Sequence, residues 1–155
     1  MNIPKYWLME GLQLQKNPTI LLLVVAAAIR RSDGSLLLQQ RPAGKRHGGL
    51  WEFPGGKVES GEVPMQALQR EIVEELAITI DIAALQPAGF AETAAESGHP
   101  ALLLILYTAD SWSGAVTPCE GQAWGWFTPA EAERLALAPM DRALLKKLTD
   151  QGLPS

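Results

Sequence analysis

Ten consecutive apolar residues from Ile20 to Ile29, ILLLVVAAAI, leave this chain few ways to fold. The run is too short to span a bilayer, which takes roughly 20 residues. It resembles the core of a signal peptide ahead of small residues, yet Lys5 and Lys16 are its only upstream positive charges. Rich in aliphatic and β-branched residues, it reads as a buried central strand.

Around that strand the signals become regular. A strand from Thr19 to about Arg30, a turn at Ser32-Asp33-Gly34 and a second strand from Leu36 to Arg41 predict a hairpin. A loop rich in glycine and basic residues follows (RPAGKRHGG, 41 to 49), then the apolar piece LWEF and the break Pro54-Gly55-Gly56. Pro64 to Leu76 reads as a helix, with proline at the first helical position and an apolar stripe of Met65, Leu68, Ile72 and Leu76. Strands are expected at Ile78 to Ile82, Ala88 to Glu92, Ala101 to Ala109 and Trp124 to Phe127, and helices at Pro129 to Ala136 and Asp141 to Leu148. Residues 1–18 hold two prolines and no clear period, so they read as an N-terminal extension, with Met9 as an alternative start. Residues 19–155 then form a single domain of ordinary size.

Composition removes several functional classes. A net charge of −4 provides no electrostatic footprint for a nucleic-acid backbone, although a small phosphorylated ligand remains compatible if a cation accompanies it. The single cysteine, Cys119, has no partner for an internal disulfide, and no Cys/His cluster suggests zinc. A reducing cytoplasm and no membrane association are expected.

The chemistry concentrates on the predicted helix. Glu71, Glu74 and Glu75 stand at i, i+3 and i+4, within roughly 100° of arc on one face. Like charges at these spacings destabilise a helix by about 0.2 to 0.5 kcal/mol per pair, a cost that a bound cation would offset. Oxygen donors without nearby cysteine or histidine point to Mg2+, with Mn2+ as a substitute. A solvated acidic face is the plain alternative for this hexad taken alone.

The segment GKVESGEVPMQALQREIVEELAI, residues 56 to 78, resembles the Nudix box: Gly, five residues, Glu, seven residues, Arg-Glu, an aliphatic, any residue, Glu-Glu, any residue, Gly, an aliphatic. Six of its seven fixed polar or glycine positions match, which is far more specific than a lone glycine motif. The preceding LWEFPGG is similar to the MutT branch of that family. Ala77 stands where the family has the glycine that ends the helix, and alanine in a left-handed cap costs on the order of 1 kcal/mol. The departure removes no metal ligand.

The resemblance implies the Nudix fold, an α/β class α/β/α sandwich around a mixed β-sheet. It implies a metal-dependent hydrolase that cleaves a diphosphate linkage of a small nucleoside triphosphate by water attack, giving a nucleoside monophosphate and pyrophosphate. Glu74 and Glu75 match the main metal ligands, and Glu71 matches a residue that acts as ligand or general base. The Gly55 carbonyl and Glu120, ahead of Trp124-Gly125-Trp126-Phe127, match the remaining ligands, with an exposed loop glutamate as the alternative for Glu120. Arg70 and Glu62 read as residues that orient the loop and helix carboxylates, because an arginine effectively never loses its proton.

Substrate choice falls to two other positions. By the same resemblance Arg41 aligns with a nucleotide-contacting arginine, with a solvated strand-end arginine as the plain alternative, and Asp141 stands where MutT has a base-reading asparagine. An ionised aspartate only accepts hydrogen bonds, so it suits the donor edge of guanine or the exocyclic amine of cytosine. The sequence therefore keeps 8-oxo-dGTP first and CTP-type nucleotides second, with helix capping as the plain alternative for Asp141. An ADP-ribose-type enzyme and a non-catalytic nucleotide-binding domain are the more distant readings.

Overall fold

A computed structural model describes residues 20–152, so the segment read as an N-terminal extension lies outside the described residues. The apolar run forms β1 (Leu21–Ile29), and its whole length pairs in parallel with β7 (Ala101–Ala109), from Leu21 opposite Ala101 to Ile29 opposite Ala109. Two antiparallel neighbours flank this pair. β4 (Gly55–Lys57) lies beside β1 and β6 (Gln86–Thr93) beside β7, which gives a mixed sheet in the order β4-β1-β7-β6.

Alternation along β1 sends its side chains into two cores. Val25, Ala27 and Ile29 face the helix α1 (Pro64–Leu76), where Ala67, Leu68, Ile72 and Leu76 meet them together with Ile78 and Ile80. Ala26 and Ala28 face the other way, onto Leu104, Leu106 and the residues Leu144, Leu145 and Leu148 of α3 (Pro139–Asp150). The result is the expected α/β/α sandwich. The three large apolar residues of the α1 stripe, Leu68, Ile72 and Leu76, are fully buried, and truncating one to alanine costs about 2–5 kcal/mol by the usual cavity effect.

The predicted hairpin is only half right. Its turn forms, with the Arg31 N–H donating to the Ser35 carbonyl and Asp33 accepting from the Ser35 amide and hydroxyl. The strands part immediately beyond the Arg30–Leu36 bridge. β2 (Leu36–Gln40) belongs instead to a three-stranded antiparallel sheet, between β3 (Trp51–Glu52) and β9 (Trp124–Phe127). The separation follows from burial: Leu37 points into the α1 core and Leu36 and Leu38 into the α3 core, so β2 bridges both layers.

β5 (Thr79–Ile80), inside the expected Ile78 to Ile82 strand, pairs with β8 (Trp112–Ser113), a short strand not expected from the sequence. The helix α2 (Pro129–Arg134) is capped by Thr128 and Glu131 in a reciprocal capping box. Among the described residues no helix is long and apolar enough to cross a membrane.

α1 ends at Ala77 in the left-handed region, φ 55° and ψ 25°, with the Ala77 N–H donating to the Val73 carbonyl at 3.0 Å. A glycine there removes the Cβ clash while keeping the hydrogen bond. Ala77→Gly is expected to raise the free energy of unfolding by on the order of 1 kcal/mol, measured by urea denaturation. A clear loss of stability would contradict a strained cap.

Candidate active site

Seating the α1 stripe in the core turns Glu71 and Glu75 toward β4, where two glycines receive them. A Cβ on Gly56 would lie 2.2 Å from the Glu71 Cδ, and one on Gly55 would lie 2.0 Å from the Val25 carbonyl oxygen. Neither position has room for a side chain. The β1–β4 register pairs Gly56 with Val25, so the N–H and carbonyl of Gly55 turn away from β1 toward the free edge of the sheet. There the Gly55 N–H donates to the Glu75 Oε2 at 3.1 Å. The carbonyl expected to serve as a ligand thus opens on the edge where Glu75 sits.

The three helix carboxylates have different environments. Glu75 is 8% exposed and also accepts from the Gln39 Nε2 at 2.9 Å. Burial, reinforced by the charges of Glu52 and Glu71 and opposed by the Gln39 and Gly55 hydrogen bonds, pushes its pKa up to about 8. Glu71 is half-buried and accepts from the Arg70 Nη1 at 2.9 Å. Glu74 is exposed, 3.5 Å from the same guanidinium nitrogen.

Arg70 is itself clamped, as its expected orienting role requires. Its Nε and Nη2 donate to the two carboxylate oxygens of Glu62 at 2.6 and 2.9 Å, and Nη2 also donates to the Lys57 carbonyl at 3.1 Å. This fork from Arg70, helped by the Glu59 N–H, lowers the Glu62 pKa to about 2. Glu62 therefore ties the loop before α1 to Arg70, which in turn holds Glu71.

Glu120 reaches this neighbourhood through its loop. The last turn of α1 leaves carbonyls without helical partners. Thr117 N donates to Leu76 O, and Cys119 N to Glu75 O, both at 2.9 Å. The Gln122 Nε2 donates to the same Glu75 carbonyl at 3.0 Å. Glu120 rides between these anchors with an exposed side chain. Cys119 is exposed and its thiol contacts only the local Thr117 carbonyl.

A second cluster forms across β2 and β3. Arg41 pairs with Glu52, and its Nε donates to the Arg46 carbonyl at 2.8 Å. Asp141 lies within the charge field of both, and burial pushes its pKa up to about 7, with Glu52 adding to the rise and Arg41 opposing it. The capping alternative for Asp141 fails. α3 begins two residues earlier at Pro139, and the buried Asp141 accepts instead from the Phe53 N–H at 2.9 Å.

Three residues of these clusters escaped the sequence reading: Glu52, Gln39 and Gln122. Two of them are set off in the sequence only by their apolar neighbours. Glu52 is the polar residue between Trp51 and Phe53, and Gln39 follows three leucines in β2, directly opposite Glu52.

The donor set suits a hard divalent cation: oxygen atoms only, with a buried carboxylate burdened by like-charged neighbours. Among the described residues no three His, Cys, Asp or Glu side chains converge at ligating distance. Among the described residues, hydrogen bonds engage Oε1 of Glu71 and Oε2 of Glu75, so each carboxylate keeps its second oxygen for an ion while its first stays held.

The sequence matches the NUDIX domain family over residues 21–148. It is 42% identical to the CTP pyrophosphohydrolase of Escherichia coli K12 over 123 residues, covering 79% of this chain and 87% of that protein. It is 32% identical to the 8-oxo-dGTP diphosphatase of Haemophilus influenzae over 128 residues, covering 83% and 91%. The solution structure of the E. coli ORF135 protein superposes with a TM-score of 0.73 at 39% identity, covering 84% of this chain and 89% of that one.

The Glu75 environment sets a pH dependence. Its folded pKa of about 8 lies above the ordinary 4.5, so the native state holds the proton more tightly and unfolding becomes easier as pH rises from about 4.5 to 8. Glu62 acts oppositely, and its contribution is lost as pH falls from about 4.5 toward 2. Chelator-treated Glu75→Gln protein is expected to lose less stability than wild type between pH 5 and 8 in urea titrations. Parallel pH profiles for the two proteins would refute the buried-carboxylate assignment.

Proposed function

The chain belongs to the NUDIX family, and from that premise we propose that it is a Mg2+-dependent nucleoside triphosphate pyrophosphohydrolase of the MutT-like type. The products of this reading are a nucleoside monophosphate and pyrophosphate. One observation carries it: Glu71 and Glu75 of α1 meet the glycine edge of β4, with the Glu120 loop hydrogen-bonded to the end of the same helix.

In this reading Glu74, Glu75, Glu71, Glu120 and the Gly55 carbonyl hold Mg2+, with Mn2+ as a substitute. When bound, the cation neutralises charge on the phosphoryl oxygens and lowers the pKa of a water. The chain's own residues arrange the rest. Glu71, packed on Gly56, serves either as ligand or as acceptor of the attacking water's proton. Arg70 stays charged and fixes Glu71 through its Glu62 clamp, so it positions a carboxylate rather than transferring a proton.

The Arg41, Glu52 and Asp141 cluster supports a base-reading role beside this phosphate end. With 8-oxo-dGTP, ionised Asp141 accepts from the donor edge of the purine. Cytosine nucleotides form the second reading, favoured by Glu52 beside Asp141. A protonated carboxyl donates to the cytosine ring nitrogen while an ionised one accepts from its amine, matching the mixed edge of that base. The 42% identity with a protein named CTP pyrophosphohydrolase points the same way.

Glu75→Gln is expected to cut turnover at saturating Mg2+ by at least a hundredfold while the protein still folds. Product analysis should find pyrophosphate as the initial product, and orthophosphate alone would sink the proposed bond. For substrate choice, kcat/KM for 8-oxo-dGTP and CTP is compared in wild type and Asp141→Asn. Asparagine cannot supply a negative charge or a carboxyl proton, so the ratio should change by about tenfold, on the scale of one misplaced polar contact. An unchanged ratio would remove Asp141 from base reading.

A further inference from the structure

Two buried amides have no part in the reaction as described, and both lie against Glu75. Gln39 is 3% exposed and Gln122 is 8% exposed. Their hydrogen bonds run in one direction. The Glu120 N–H donates to the Gln122 Oε1 at 3.0 Å. The Gln122 Nε2 donates to the Gln39 Oε1 at 3.2 Å and to the Glu75 carbonyl at 3.0 Å. The Gln39 Nε2 then donates to the Glu75 Oε2 at 2.9 Å.

A primary amide accepts at one end and donates at the other, as this relay requires. A carboxylate at position 39 would add a third acid between Glu52 and Glu75. An apolar residue there would leave the Glu75 oxygen with only the Gly55 N–H. The chain also joins parts that the backbone keeps apart, since Gln39 lies on β2, Glu75 on α1 and Gln122 beyond β8.

We propose that Gln39 and Gln122 are positioning residues that act as one unit, Gln39 setting the rotamer of the Glu75 carboxylate and Gln122 coupling the Glu120 loop to it. This rests on the metal-site reading above. A ligand held by a buried hydrogen bond loses less freedom on binding the ion, and removing such partners typically lowers metal affinity by about 10- to 100-fold. The shared Gln122–Gln39 hydrogen bond predicts a specific non-additivity: each single variant breaks it, so the double variant loses it only once.

The test is Mn2+ binding to the full-length, nucleotide-free protein, followed by electron paramagnetic resonance of the free ion. Gln39→Met and Gln122→Met keep side-chain volume and remove the amides. Each is expected to weaken Mn2+ binding about tenfold in protein that stays folded at the assay temperature. The double variant should lose clearly less than the product of the two single losses. Wild-type affinity in a folded Gln39→Met protein, or losses that multiply in the double variant, would overturn the proposal. Should Gln39→Met lower the folded fraction, Gln122→Met decides by the same criterion. Failure of wild type to bind Mn2+ would count against the metal-site reading itself, a result distinct from equal binding by all variants.

Discussion

The rotation of α1 about its own axis governs the site. Ala67, Leu68, Ile72 and Leu76 are all buried against β1 and its neighbours, and no other rotation buries them together. With that rotation set, Glu71 and Glu75 face Gly55 and Gly56, and the glycines let the helix come close enough for a carboxylate to touch the strand backbone. The hydrophobic stripe thus places acidic groups where solvation alone would never put them. The desolvation cost of Glu75 is borne by a core that can spare it, because each large residue of the stripe is worth a few kcal/mol.

Around this fixed helix the polar groups divide into two sets. Glu62 and Arg70 act on the exposed side, where a forked guanidinium holds both the preceding loop and Glu71. Gln39, Glu52 and Asp141 occupy the other side, on β2, β3 and α3, with the partly exposed Arg41 just beyond the end of β2. The phosphate chemistry and the base-reading candidates therefore come from different elements. They meet at the Gln39–Glu52 cross-strand pair, one of whose members faces the helix carboxylates and the other the arginine.

Much of this was legible in the sequence because it repeats with the period of its element. The α1 stripe, its carboxylate face and its boundaries follow from 3.6-residue spacing and from Pro64, and the central strand follows from unbroken apolarity. Ala77 was readable from its place in the box, and its φ of 55° is that of a left-handed cap. What escaped depends on tertiary partners. β2 leaves β1 after the turn because its leucines serve two cores, a choice invisible within either strand. Asp141 resembles a cap by position, yet α3 starts at Pro139 and the carboxylate finds the Phe53 amide from a segment 88 residues away. Gln39 and Gln122 carry no local period, so only the fold brings them to Glu75.

The parallel pairing of β1 with β7 has a kinetic side. Each pair joins residues 80 positions apart, as with Leu21 and Ala101. Synthesis at about 5–20 residues per second leaves the ILLLVVAAAI run without its partner for several seconds after it is made. Closing so long a loop before any contact rewards it places the central pairing among the slow steps of folding. During that interval the run, apolar and free of charge and proline, is an aggregation-prone segment. The feature that gives the finished fold its centre is thus one that the nascent chain completes late, once residue 109 has been made.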